Sequence, residues 1–166
     1  MFMNPLKQIL KWTIICLLSF TTFNFLISGK IEASIEIEAP ANVVYEKVSN
    51  LQTWTTWAAW CKKDSTMTTV YSAEKSGFGA KMSWTGIEGQ GSLEIVEADF
   101  AKNLKNELIF EGMAPSYRIW TFDKTNKGTR VTWSFQDELP FYVHFMKLFI
   151  NSELEEGLNG LKKLCE

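Results

Sequence analysis

The chain has one histidine, His144, and it is the side chain whose unperturbed titration falls near neutrality, so general acid–base work would run first through it. It stands beside Phe145 in an aromatic run, where a packed or half-exposed ring is the commoner outcome. Tyr117 and Tyr142 are the remaining candidates for moving a proton. Glu94, Glu97, Asp99, Glu107 and Glu111 fall mostly on the polar faces of strand-like segments, which makes them a solvated surface rather than a paired acid and base. Cys16, Cys61 and Cys165 show neither CxxC nor Cys/His spacing. No metal site, cofactor or disulfide framework is therefore indicated, and nothing in the spacing supports a Cys61–Cys165 bridge. Gly86-Ile87-Glu88-Gly89-Gln90-Gly91 has the wrong spacing for a phosphate cradle and leads into another strand-like segment, so it reads as a hairpin turn.

With so little polar chemistry, the aromatic content carries more weight. Aromatics make up 14% of the 166 residues, including 7 Trp and 12 Phe, a surplus for merely filling one core. An internal surface for an apolar guest would use that surplus; so would large side chains filling the interface between a sheet and a helix. The net charge of −2 and the scattered Lys and Arg argue against nucleic acid as a partner. About 135 residues follow the first apolar run, enough for one domain with a real core and hardly two.

The elements that must position these side chains begin from the C-terminus. Val143, Met146, Ile150, Leu154, Leu158, Leu161 and Cys165 recur at three- and four-residue steps and share one face of a helix from Phe141 to Glu166. Such a helix has about 25 residues and is about 37 Å long at 1.5 Å per residue. A wide surface must cover it. Ile31, Ala33, Ile35 and Ile37 alternate with polar residues, as do Ala80, Met82 and Trp84; Leu93 and Ile95; Leu108 and Phe110; and Val131, Trp133 and Phe135. Between Tyr117 and Asp123 both faces carry large residues, and the pattern does not say which points inward. The expected class is α+β, a curved antiparallel sheet wrapped around a long C-terminal helix. Pro40 suits the first turn of a helix with Val44, Tyr45 and Val48 buried, and Trp54, Trp57 and Trp60 would cluster on one side of a helical turn.

Ahead of this domain, Trp12 to Gly29 carries no charge and is bounded by Lys11 and Lys30, just enough to cross a hydrocarbon layer. The exit SGKIEAS offers no small-x-small cleavage pattern, which favours an uncleaved anchor (1–29) before the domain (30–166) over a removed signal. Lys7, Lys11 and the amino terminus precede the span, while Lys30, Glu32, Glu36 and Glu38 follow it; the expected orientation is N-terminus inside and domain on the extracytoplasmic side. The alternatives are a secreted or periplasmic domain after cleavage, and a buried helix of a soluble fold, for which Thr21, Thr22 and Asn24 speak.

The run IEIEAPANVVYEKVSNLQTWTTWAAW, a strand, an Ala-Pro helix and spaced tryptophans, resembles the opening of the START-like (SRPBCC) superfamily, in particular its polyketide cyclase/dehydrase-like branch. KSGFGAKMSWTG, GQGSLEIVEAD, KNELIFEG and GTRVTWSFQDELPF follow in the same order, so the resemblance covers Ile31 to Glu166. It implies the helix-grip fold, with a cavity between sheet and C-terminal helix that commonly holds lipids, polyketides or other apolar molecules. It also fits an N-terminal membrane segment.

Candidate cavity residues are Trp57, Trp60, Met82, Trp84, Leu93, Ile95, Leu108, Phe110, Trp133, Phe145, Phe149 and Gly157. Gly157 and Gly160 each cost about 1 kcal/mol in a helix relative to Ala, so either a ligand or a close helix-to-sheet approach uses the missing side chains. Phe141, Phe145, Leu148 and Phe149 are expected in the core, with the cavity mouth as a further role for some of them. Three functions fit: a non-catalytic, membrane-tethered binder of a lipid-like or other hydrophobic small molecule, an enzyme of the cyclase or dehydratase kind in the same cavity, and an interaction domain whose cavity is filled. The first asks least of the residues, because burial alone contributes about 25 cal/mol per Å². Oligomeric state is not written in the sequence.

Overall fold

Alternation becomes a sheet of seven antiparallel strands in the computed structural model, which describes residues 5–26, 29–87, 89–136, 140–141 and 144–166. In chain order the elements are α1 (Pro5–Leu26), β1 (Glu32–Ile37), α2 (Ala41–Ser49), α3 (Trp54–Trp57), α4 (Ala59–Lys63), β2 (Thr68–Tyr71), β3 (Lys81–Gly86), β4 (Gly89–Asp99), β5 (Asn103–Phe110), β6 (Ser116–Lys124), β7 (Thr129–Phe135) and α5 (Met146–Cys165). The spatial order is β1-β7-β6-β5-β4-β3-β2. The first two strands in sequence are thus the two edges, and α2 to α4 carry the chain from one edge to the other. β2 is the strand that alternation did not reveal: in TTVY, Val70 is exposed on an edge and no buried period-two set exists.

Pro40 stands just before α2 as its N-cap, one position earlier than expected, and its carbonyl accepts from the N–H groups of Val43 (3.0 Å) and Val44 (3.2 Å). Val44, Tyr45 and Val48 are buried as their spacing requires. The glycine-rich run is a hairpin: Gly86 pairs with Gly89 across β3 and β4, while Glu88 lies outside the described residues. A register shift between Ile95 and Glu97 interrupts the regular pairing of β4 with β5, the kind of irregularity at which a strand bends.

The terminal helix is shorter than its apolar repeat. It begins at Met146, not Phe141; the residues before it turn, with the His144 N–H donating to the Phe141 carbonyl (3.3 Å) and the Lys147 N–H to that of His144 (2.9 Å). Leu154, Gly157, Leu158 and Leu161 are buried against the sheet. Ile150 and Cys165 are half-buried, Met146 is exposed, and Val143 lies outside the described residues. A second correction goes with this one: Phe141, Phe145, Leu148 and Phe149 are exposed, the last by 72%, and none belongs to the core. The core itself lies between the concave face of the sheet and α2 to α5.

Candidate functional site

The register sorts the concave face into rows. Ala33, Trp133, Trp120 and Leu104 lie side by side across β1, β7, β6 and β5, and all are buried. Over them sit Trp54 and Trp57, whose rings lie 4.8 Å apart; Trp57 stands edge-on to Trp120 at 6.0 Å, and Trp120 stacks on Trp133 at 4.3 Å. Gly157 comes down on the same cluster, since a β-carbon there would be 3.0 Å from Trp133 Cζ3; one on Gly160 would collide with the Trp57 carbonyl. Close approach, rather than room for a guest, therefore explains both glycines. The hollow expected between sheet and helix is filled by indole rings over this middle stretch.

Packing loosens toward the first turn of α5. Leu108, Phe135 and Ile150 are half-buried and Phe110 is 39% exposed, although each sits on or beside the inner face. Trp60, also half-buried, lies tilted against Trp84 with ring centroids 4.8 Å apart, and Trp84 meets Phe110 edge-on at 5.6 Å. Of these, Trp60, Leu108, Phe110, Phe135 and Ile150 are the partly exposed ones and mark the open end of the grip. Of the twelve cavity residues expected from sequence, Trp57, Met82, Trp84, Leu93, Ile95, Trp133 and Gly157 belong to packed interior. Trp60, Leu108 and Phe110 stand at the open end, and Phe145 and Phe149 lie outside on the exposed start of the helix.

Sequence reasoning missed two polar residues. In the next inward row Ile95 faces Asn106, which faces Arg118, which faces Phe135. Asn106 is 0% exposed and Arg118 is buried as well. The Asn106 Oδ1 accepts from Trp120 Nε1 at 3.0 Å, while its Nδ2 has no hydrogen-bond partner. The Arg118 guanidinium lies over the Phe135 ring, 3.2 Å from its centroid, and Nη1 donates to the Tyr117 carbonyl at 3.3 Å. Trp54 Nε1 donates to Val48 and Trp57 Nε1 to Thr53, but Trp133 Nε1 has no partner. On α5 the buried Oδ1 of Asn151 is likewise without one. The phase that puts Leu104 and Leu108 inward also puts Asn106 inward, which was the available signal.

Little of this resembles a catalytic constellation. His144 belongs to the joint between α1 and α5, with Nδ1 3.2 Å from the Asn24 carbonyl and its ring edge-on to Phe141. The buried side chain of Asn24 accepts the Phe145 N–H at 3.1 Å, and Phe20 packs on the Phe145 ring. Tyr117 donates to Glu107 at 2.8 Å on the outer face, and Tyr142 lies outside the described residues. Glu94 and Glu97 pair with Lys81 and Lys105, each at 3.2 Å. Cys61 and Cys165 are free thiols, and burial pushes Cys61 up to about 12. Among the described residues no cluster of His, Cys, Asp or Glu is arranged to hold a metal.

A family model described as polyketide cyclase / dehydrase and lipid transport matches residues 28–166, the sheet and all the helices that close on it. The chain belongs to this polyketide cyclase/dehydrase and lipid-transport family. Membership suggests a hydrophobic ligand. Solved structures agree on the helix-grip fold at low identity. A protein from Chromobacterium violaceum is 12% identical with a TM-score of 0.63, the match covering 82% of this chain and 97% of that one. The Aha1 dimer from Colwellia psychrerythraea is 15% identical with a TM-score of 0.64, covering 83% and 96%. A Mesorhizobium loti protein is 12% identical with a TM-score of 0.64, covering 82% and 96%. No curated protein matches the chain. Outside the family match, α1 is long and apolar enough to cross a membrane, and its exposed surface suits an anchor or a signal sequence alike.

Proposed function

We propose that the chain is an uncleaved, single-pass membrane protein whose domain, residues 30–166, holds a lipid-like molecule at the open end of the grip and catalyses no reaction. The observation that carries this reading is the joint between Asn24 and Phe145, because it ties the end of the apolar helix to the turn that leads into α5. Phe141, Phe145, Met146, Leu148 and Phe149 form an exposed apolar surface at that joint. Contiguous apolar exposure of this kind marks a surface that meets another apolar phase. On this reading a molecule leaving a bilayer is handed from this surface to Leu108, Phe110 and Phe135. Lys7 and Lys11 on one side of the helix, against the single Lys30 with Glu32, Glu36 and Glu38 on the other, support an N-terminus inside and a domain outside.

The non-catalytic part rests on how the polar groups are used. His144 serves the joint, and the surface carboxylates answer lysines. A cyclase or dehydratase would have to use His144, Tyr117, Tyr142 or a surface carboxylate, and one that used His144 would lose turnover but not binding in His144→Ala.

One observation favours a different reading, that of an interaction domain with a filled grip: the indoles of Trp54, Trp57, Trp120 and Trp133 leave the middle of the interior packed. Two measurements separate these readings. Native mass spectrometry of the full chain in an uncharged detergent is expected to show co-purified lipid; an empty chain whose stability no hydrophobic ligand alters would favour the interaction domain. Carbonate washing of membranes is expected to leave the full-length chain in the pellet, and release would remove the anchor.

A further inference from the structure

Asn106 and Arg118 occupy the same inward row of the sheet and face each other in register. The rows on either side are nearly all apolar: Leu104, Trp120 and Trp133 on one, Met82, Leu93 and Leu108 with Ser116 on the other. An amide at 0% exposure that makes only part of its hydrogen bonds is unfavourable unless something else completes them. The chemistry of what is left over is one-sided. Asn106 Oδ1 already accepts from Trp120, and the part of the amide left without a partner is the donor Nδ2. Trp133 Nε1, also unpartnered, can only donate. Arg118, whatever its own partners, adds donors and a positive charge and has no acceptor to give. Asn151 on α5 can turn its amide to present either end.

We infer that the Asn106–Arg118 row is the polar end of the ligand site, and that the molecule it takes is an amphiphile with an acceptor-only head, a carboxylate or a phosphate ester. This rests on the hydrophobic-ligand reading above and narrows it. The hydrocarbon then runs past Leu108 and Phe135 to the open end, and the head bonds to Asn106 Nδ2 with Arg118 beside it. An ammonium head of the same chain length meets the Arg118 charge and the Asn106 and Trp133 donors, with only the Asn151 amide able to turn an acceptor toward it, and is disfavoured.

The test uses the full chain in uncharged detergent and four probes of one chain length: hexadecanoate, hexadecyl phosphate, hexadecylammonium and the neutral 1-hexadecene. Bound fractions are read by native mass spectrometry, and folding of each variant by circular dichroism. The acids are expected to bind at least tenfold more tightly than the ammonium and the alkene, and the tighter of the two acids identifies the head. Asn106→Asp keeps an oxygen for Trp120 but replaces the free donor by an acceptor; it should lower hexadecanoate binding at least tenfold and leave 1-hexadecene unchanged. Arg118→Gln, which keeps a donor and removes the charge, should lower both acids and provides the readout should Asn106→Asp fail to fold. Equal binding of all four probes, or folded variants that bind hexadecanoate like the parent, would overturn the inference while leaving a hydrophobic site standing. Binding of none of them would overturn the hydrophobic-ligand reading and this inference together.

Discussion

A β-carbon placed on Gly160 would run into the backbone carbonyl oxygen of Trp57. The helix and the tryptophan turn are therefore in backbone contact, and this contact fixes how deeply α5 sinks into the grip. At an exposed helical site Gly→Ala would stabilise by about 1 kcal/mol. Here Gly160→Ala is expected to destabilise by about 1–3 kcal/mol, as overpacking does, because the opposing atom is backbone and cannot swing away. The urea midpoint measures it; a gain in stability would mean that α5 sits further out.

Trp120 and Phe149 make a contrasting pair. Trp120 is 0% exposed between Trp57 and Trp133, so Trp120→Ala is expected to cost about 3–5 kcal/mol. Phe149 is 72% exposed, and Phe149→Ser should change fold stability by no more than about 0.5 kcal/mol while weakening association of the domain with lipid vesicles. Thermal unfolding and vesicle flotation read the two effects separately. A large loss of stability in Phe149→Ser would put that ring in the core.

That contrast also shows where the sequence was legible. Ile31, Ala33 and Ile37 announced β1 by alternation, and Leu154, Leu158 and Leu161 announced the buried face of α5, because each pattern has the period of its element. The aromatics from Phe141 to Phe149 misled for a physical reason: hydrophobicity says that a side chain avoids water, not whether protein or lipid replaces it. Asn106 and Arg118 were missed because a polar residue within a strand reads as a solvent-facing one, and Tyr117 to Asp123 is bulky on both faces. Trp120 and Phe122 proved to be the inward pair. β2 carried too short and too polar a pattern to be seen from its residues alone.

Cys61 offers a pH-dependent readout. Burial raises its thiol from the ordinary 9.0 to about 12, so the folded state keeps the proton where the unfolded state has lost it. Its contribution to stability is accordingly complete below pH 9.0 and declines as pH rises from there toward about 12. At pH 8 the folded protein should leave Cys61 unmodified by a thiol-exchange reagent, with reaction appearing in urea. Rapid modification of Cys61 in the folded protein would show the thiol to be accessible.

Asn24 ties α1 to the turn before α5 through its side-chain oxygen and the Phe145 N–H. Asn24→Ala removes one hydrogen bond of about 1 kcal/mol. Hydrogen exchange at the Phe145 amide is expected to quicken by about fivefold, with protection in β5 to β7 unchanged. Unchanged exchange at Phe145 would mean that the joint does not hold the two helices together.

The most direct measurement is photo-crosslinking of the full chain in membranes by a lipid bearing a diazirine within its acyl chain, with adducts mapped by peptide mass spectrometry. The expected adducts fall on Leu108, Phe110, Phe135 and Ile150, and they disappear when an unlabelled lipid of the same kind competes. Adducts confined to α1, or unaffected by the competitor, would contradict a ligand site at the open end of the grip.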